Sequence, residues 1–167
     1  LQEDSKAAGR WETAQGGEYF AAGVGGAITG RGADLLIIDD PHSEQDAMSP
    51  SALESAYEWY TSGPRQRLQP GASIVLVMTR WSLKDLTGML LKHQKDVKAD
   101  QWEVVEFPAI MDDGAAMWPE YWKREELEKV QATLPVAKWN AQWMQAPTSE
   151  EGAIIKREWW RKWKHDW

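Results

Sequence analysis

The sequence predicts an α/β fold in which a parallel sheet is flanked by helices, and three observations predict it. First, residues 35–38 (Leu-Leu-Ile-Ile) and 73–78 (Ser-Ile-Val-Leu-Val-Met) are aliphatic runs, of the kind that suits strands buried on both faces of a parallel sheet. Second, each run stops in polar residues, Asp39-Asp40 for one and Thr79-Arg80 for the other. Third, segments with helical periodicity lie between the runs, which is the βαβ rhythm.

Taken in order, residues 1–17 are polar and read as a loop, and residues 18–24 (Glu-Tyr-Phe-Ala-Ala-Gly-Val) read as a strand. Residues 25–32 are glycine-rich and read as a tight connection between strands. They do not form a Walker A loop, because no Gly-Lys-Ser/Thr closes them, and they lack the third glycine of a dinucleotide fingerprint. After the first aliphatic run, Ser49 as N-cap, Pro50 at the first helical position and Glu54 in the first turn start a helix that Gly63-Pro64 ends. Pro70-Gly71 marks a turn into the second run. A helix over residues 83–94 follows, with Ser82 as its cap and Leu83, Leu86 and Leu90 on one face. Residues 102–107 form a third strand, stopped by Pro108. Beyond Ile110 the character changes to helices over residues 123–133 and 135–145 and a basic, aromatic end over residues 152–167. The chain therefore divides into a core, residues 1–110, and a Trp-rich connector, residues 111–167.

Bulk properties fit this plan. The 167 residues are 43% hydrophobic and 27% charged, enough for one domain with a core. There is no cysteine, which excludes disulfides, zinc–thiolate sites and thiol nucleophiles and agrees with a cytosolic protein. No apolar run approaches the roughly 18 residues of a membrane span. A net charge of −7 argues against a generally basic, nucleic-acid-coating surface. Lys156, Arg157, Arg161, Lys162 and Lys164 run against that balance. There are twelve tryptophans, nine of them after residue 100; they serve either core and interdomain packing or base stacking. Residues 156–167 in particular have the spacing of an amphipathic helix that either binds DNA or packs on another domain.

The chemistry concentrates at the two strand ends. In open α/β sheets ligands sit at the carboxyl ends of the strands. An aliphatic strand running into Asp39 and Asp40 has the Walker B pattern, which holds a hydrated Mg²⁺ and activates a water beside a bound nucleotide; an acidic strand end or an Asp-Asp-Pro turn has the same appearance. Thr79 and Arg80 end the neighbouring strand, where a sensor of the γ-phosphate or of the attacking water would lie.

The order from Gly30 through Pro41, followed by Thr79-Arg80-Trp81-Ser82-Leu83-Lys84-Asp85-Leu86-Thr87-Gly88, resembles the large terminase subunit of tailed bacteriophages. The Arg80-Trp81 and Asp85-Leu86-x-Gly88 pairing is the most specific element. Residues 139–147 and 152–160 resemble that family's passage from ATPase into nuclease, so the similarity covers most of the chain from about Arg10 onward. The resemblance implies a P-loop NTPase core of the RecA/ASCE type whose Walker A segment is not in this sequence. It implies Asp39 as the Walker B metal ligand and Asp40 in the place of the family's catalytic Glu, one methylene shorter. It implies Thr79 and Arg80 as the coupling motif and Arg31 as a candidate arginine finger, or else an ordinary surface arginine. His42 reads as a loop residue rather than a ligand. The implied cofactors are ATP and Mg²⁺. The implied partners are double-stranded DNA, the small terminase subunit, the portal protein and other copies in a homo-oligomeric ring, in the host cytoplasm during virion assembly. Without a phosphate-gripping segment, the isolated chain is expected to bind ATP poorly and to show little or no ATPase activity.

Overall fold

The computed structural model describes residues 9–148. Two short strands come first, β1 (Arg10–Glu12) and β2 (Glu18–Phe20), paired antiparallel. Residues 1–17 thus contain a strand that the polar composition concealed. The strand expected over residues 18–24 ends at Phe20. In the glycine-rich stretch that follows, Gly25 and Gly30 take φ of 78° and 79°, the left-handed region that glycine enters without steric cost.

Strand β3 (Ala33–Asp39) leads through the four-residue helix α1 (Glu44–Ala47) into α2 (Pro50–Ser62). The start of α2 is the one its sequence dictates. The Ser49 hydroxyl accepts from Ala52 N–H at 3.3 Å, and Pro50 sits in the first turn, where it sacrifices no hydrogen bond. A 3₁₀ turn (Pro64–Arg67) then delivers β4 (Leu68–Val77). β3 and β4 pair parallel, with Leu35 opposite Ser73, Ile37 opposite Val75 and Asp39 opposite Val77. The structure is therefore mixed α/β with a small parallel sheet and flanking helices.

Helix α3 is Leu86–His93, three residues shorter at its start than its apolar periodicity predicts. Its cap is Asp85, not Ser82. The Asp85 carboxylate accepts from Gly88 N–H at 2.8 Å, which leaves Leu83 outside the helix. Further on come α4 (Arg124–Thr133), the single turn α5 (Val136–Lys138) and a π-helical turn (Trp139–Trp143). The continuous helix expected over residues 135–145 thus widens at its centre, where Met144 N–H donates to Trp139 C=O, five residues back, at 3.2 Å.

Two hydrophobic clusters hold these elements. Ile38, Tyr60, Leu86 and Leu90 form the first, with Leu36, Ile74, Leu76 and Trp102 packed around them, so α2 and α3 cover one face of the sheet. Ala116, Leu127 and Trp139 form the second, joined by Trp122 and Trp143. The Trp122 and Trp143 rings meet edge-to-face at 5.5 Å, and Trp139 stacks on Trp143 at 5.6 Å, so buried Trp139 is covered by the two half-buried tryptophans.

The expectation of strands buried on both faces is corrected. Leu35, Ile37, Val75 and Val77 are 54%, 60%, 44% and 55% exposed. Side chains alternate across a strand, so Leu36 and Ile38 enter the core while their neighbours point to the opposite face. That face has no helix on it among the described residues. The third strand is corrected too: residues 102–107 join no ladder among the described residues. Residues 149–167, including the basic aromatic end, lie outside the described residues.

Candidate functional site at the strand ends

The parallel pairing of β3 and β4 brings Asp39-Asp40 and Thr79-Arg80 to the same sheet edge. The two strand ends are joined there. Asp40 N–H donates to Val77 C=O at 2.9 Å, and the Asp40 carboxylate Oδ1 accepts from Thr79 N–H at 3.1 Å. To reach both, Asp40 takes φ of +41°, a left-handed conformation that aspartate tolerates better than most residues. No hydrogen bond to the second carboxylate oxygen of Asp40 occurs among the described residues.

Asp39 and Asp40 do different things because they are consecutive. Asp39 continues the outward series of Leu35 and Ile37 and is exposed at the end of the open sheet face. Asp40, Thr79 and Arg80 instead line a groove of about 710 Å³ between residues 74–80 and residues 102–107.

Arg80 is buried, and its guanidinium turns away from the acidic strand end. Its Nε donates to Asp85 Oδ2 at 3.1 Å, and an Nη donates to Ser82 C=O at 3.3 Å. Asp85 is fully buried and also accepts from Trp81 N–H at 2.9 Å and Ser82 N–H at 3.1 Å. One carboxylate thus caps α3, folds the loop after β4 and neutralises Arg80. Its signal in the sequence was a cap residue four positions after Trp81 and three before a glycine.

His42 is the second residue whose weight the sequence understated. It is buried, and its Nε2 accepts from Leu86 N–H at 2.9 Å, tying the loop after β3 to the first turn of α3. Burial pulls its pKa below the ordinary 6.5, against the opposing pull of the Asp85 and Asp46 carboxylates. Nδ1 has no partner among the described residues. Accepting at Nε2 places the ring proton on Nδ1.

Arg31 lies at the other end of β3, about seven strand residues or roughly 23 Å from Asp39. It pairs with Glu18 and stands over the Phe20 ring at 4.3 Å, so the first hairpin holds it. The structure brings Asp40, Thr79 and Arg80 together, sets Asp39 beside them on the adjoining face, and keeps Arg31 apart.

The acidic pair fits Mg²⁺ in one mode. No group of three or more His, Cys, Asp or Glu side chains that could hold a metal ion occurs among the described residues, so no protein cage exists there. Mg²⁺ retains water and takes one or two carboxylates when nucleotide phosphates supply further ligands, and exposed Asp39 suits that role. Among the described residues no helix is long and apolar enough to cross a membrane. No protein-family model matches the chain, and no curated protein matches it.

Proposed function

We propose that the chain is the metal-and-water half of a P-loop-type ATPase site in a DNA-packaging motor like the large terminase subunit, with ATP hydrolysis coupled to movement of double-stranded DNA. The observation that carries the reading is the Asp40–Thr79 hydrogen bond across two parallel strand ends, with the free Asp40 oxygen beside it. Asp39 would hold Mg²⁺, which when bound neutralises charge on the phosphates. Asp40 accepts the proton of, or orients, the attacking water through its unpaired oxygen. Thr79 reports that carboxylate's position to β4 through its main chain. Arg80 acts from behind, as the buried counter-ion of Asp85, and positions the Thr79–Trp81 turn. Arg31 remains a candidate for a neighbouring subunit's site, from which Glu18 would have to release it. ATP, Mg²⁺, the DNA, the small subunit, the portal and the ring belong to this proposal together.

The test is ATP turnover of the chain expressed with the polypeptide encoded immediately upstream, against the 167 residues alone. Turnover is expected only in the longer protein, and Asp40→Asn should lower it about 10²–10⁴-fold with the fold retained. Undiminished turnover in Asp40→Asn, or Asp39-dependent turnover by the 167 residues alone, would reject the reading. A second reading, a nucleic-acid-binding module without the chemistry, draws on the exposed stacked pair Trp118 and Tyr121, 5.0 Å between centroids. Salt-dependent DNA binding that survives Asp39→Asn together with Asp40→Asn would favour it.

A further inference from the structure

The aromatic rings of the second cluster form a continuous chain that runs outward from the interior. Trp139 stacks on Trp143, and Trp143 meets Trp122 edge-to-face. Trp122 meets Tyr121 edge-on at 5.8 Å, and Tyr121 stacks on Trp118 at 5.0 Å. Trp139 is buried at one end, and Trp118 and Tyr121 are exposed at the other. Contacts along the chain fix the ring planes before any guest arrives, which lowers the ordering cost of binding one.

Beside that chain lies a second pocket, of about 220 Å³. Trp118, Trp122, Trp143 and Phe107 supply its aromatic walls, and buried Leu127 lies against it. Clefts for whole small molecules run to roughly 300–1,000 Å³, so this one suits a single side chain. No lining residue is charged, and the polar side chains are the amides of Gln142 and Gln145. Gln145 Nε2 donates to Gln142 C=O at 2.8 Å, an orientation that leaves Oε1 as an acceptor. No hydrogen bond to that oxygen occurs among the described residues. Gln145 also takes φ of 56°, a left-handed conformation that a glutamine keeps only where its surroundings hold it.

The chain that carries the walls is acidic. Over residues 106–125, exposed Glu106, Asp112, Asp113, Glu120 and Glu125 stand against Lys123 and Arg124, and Arg124 is paired with Glu128. We infer that this pocket receives an arginine side chain from a basic segment of a partner protein. A guanidinium lies flat on indole faces, offers donors and no acceptor, and carries the charge that the acidic surround attracts. A proline ring would cover the Gln145 oxygen without meeting it. A nucleobase would bring its phosphates among carboxylates. The inference goes beyond the ATPase reading and uses none of the strand-end residues.

Fluorescence anisotropy on the full chain tests it, with a labelled probe peptide Gly-Ser-Lys-Arg-Lys-Ser-Gly. The peptide should bind saturably, and about fivefold tighter than the same peptide with lysine in place of the arginine, since the two carry equal charge. Trp118→Leu, at an exposed position, should weaken binding about tenfold. Gln145→Gly removes the amide and suits the left-handed backbone, so binding should fall about fivefold while the urea midpoint holds or rises. Equal binding of the arginine and lysine peptides would reduce the attraction to net charge and overturn the inference. Binding unchanged in both protein variants would overturn it as well. Tighter, Trp118-dependent binding of a labelled oligothymidylate or of a proline-rich peptide would reassign the pocket to that guest. Absence of saturable binding, as when a second copy or another segment of the chain fills the pocket, would also reject a partner's arginine.

Discussion

At the scale of single residues, Asp85 and His42 decide more than the acids that announce the site. Among the described residues Asp85 is the one carboxylate paired with buried Arg80, and it holds three main-chain N–H groups. Removing one partner of a buried pair strands the other charge, at a cost of about 3–5 kcal/mol. Asp85→Ala should therefore lower unfolding free energy by about that amount in urea titration, whereas Asp39→Ala, at an exposed strand end, should change it by less than about 0.5 kcal/mol. His42 sets a pH dependence. Its folded pKa lies below 6.5, so the unfolded chain takes up the proton first as pH falls. The stability it supports is fully present above 6.5 and is lost as pH drops below that value toward the folded pKa. Protonating Nε2 also removes the acceptor for Leu86 N–H. Urea midpoints should fall between pH 7.5 and 5.5 in the parent and stay flatter in His42→Gln. The sequence displayed Asp39, Asp40 and Thr79 as strand ends, but not which partner Arg80 would choose. A cap residue and a counter-ion look alike until a helix start is placed.

At the scale of elements, α2 was legible to its first residue because Ser49 and Pro50 act locally, and β3 and β4 were legible because an aliphatic run needs a sheet. The start of α3 was not, because Ser82 and Asp85 are both competent caps and tertiary contacts chose between them. Gly88 records that choice. A Cβ there would lie 2.2 Å from Leu83 C=O oxygen, which is backbone and cannot swing aside. In an exposed helix Gly→Ala gains up to about 1 kcal/mol. Here the clash outweighs that gain, and Gly88→Ala should destabilise by about 1–3 kcal/mol, read as a lower urea midpoint. Residues 102–107 read as a strand and form none among the described residues, because the neighbour that a strand needs is never written in its own sequence.

At the scale of the whole molecule, the sheet has one finished face and one open face, and the two should respond differently to the same chemistry. Ile38 is buried against Tyr60 and Leu86, and Leu76 packs with them. Ile37 and Val75, one residue away on each strand, are more than two-fifths exposed. An aliphatic run gave no sign of this, since it reads alike whether one face or both are covered. Exchanging a buried isoleucine for threonine loses apolar contact and buries a hydroxyl, which costs about 2–4 kcal/mol. The same exchange on an open face removes apolar area that is already largely hydrated and keeps β-branching, so it should fall within about 0.5 kcal/mol. Ile38→Thr should therefore lower the urea midpoint sharply, while Ile37→Thr and Val75→Thr leave it nearly unchanged. Equal losses on the two faces would mean that the outer one is covered in solution, and the sheet would then be a closed layer, not an open one.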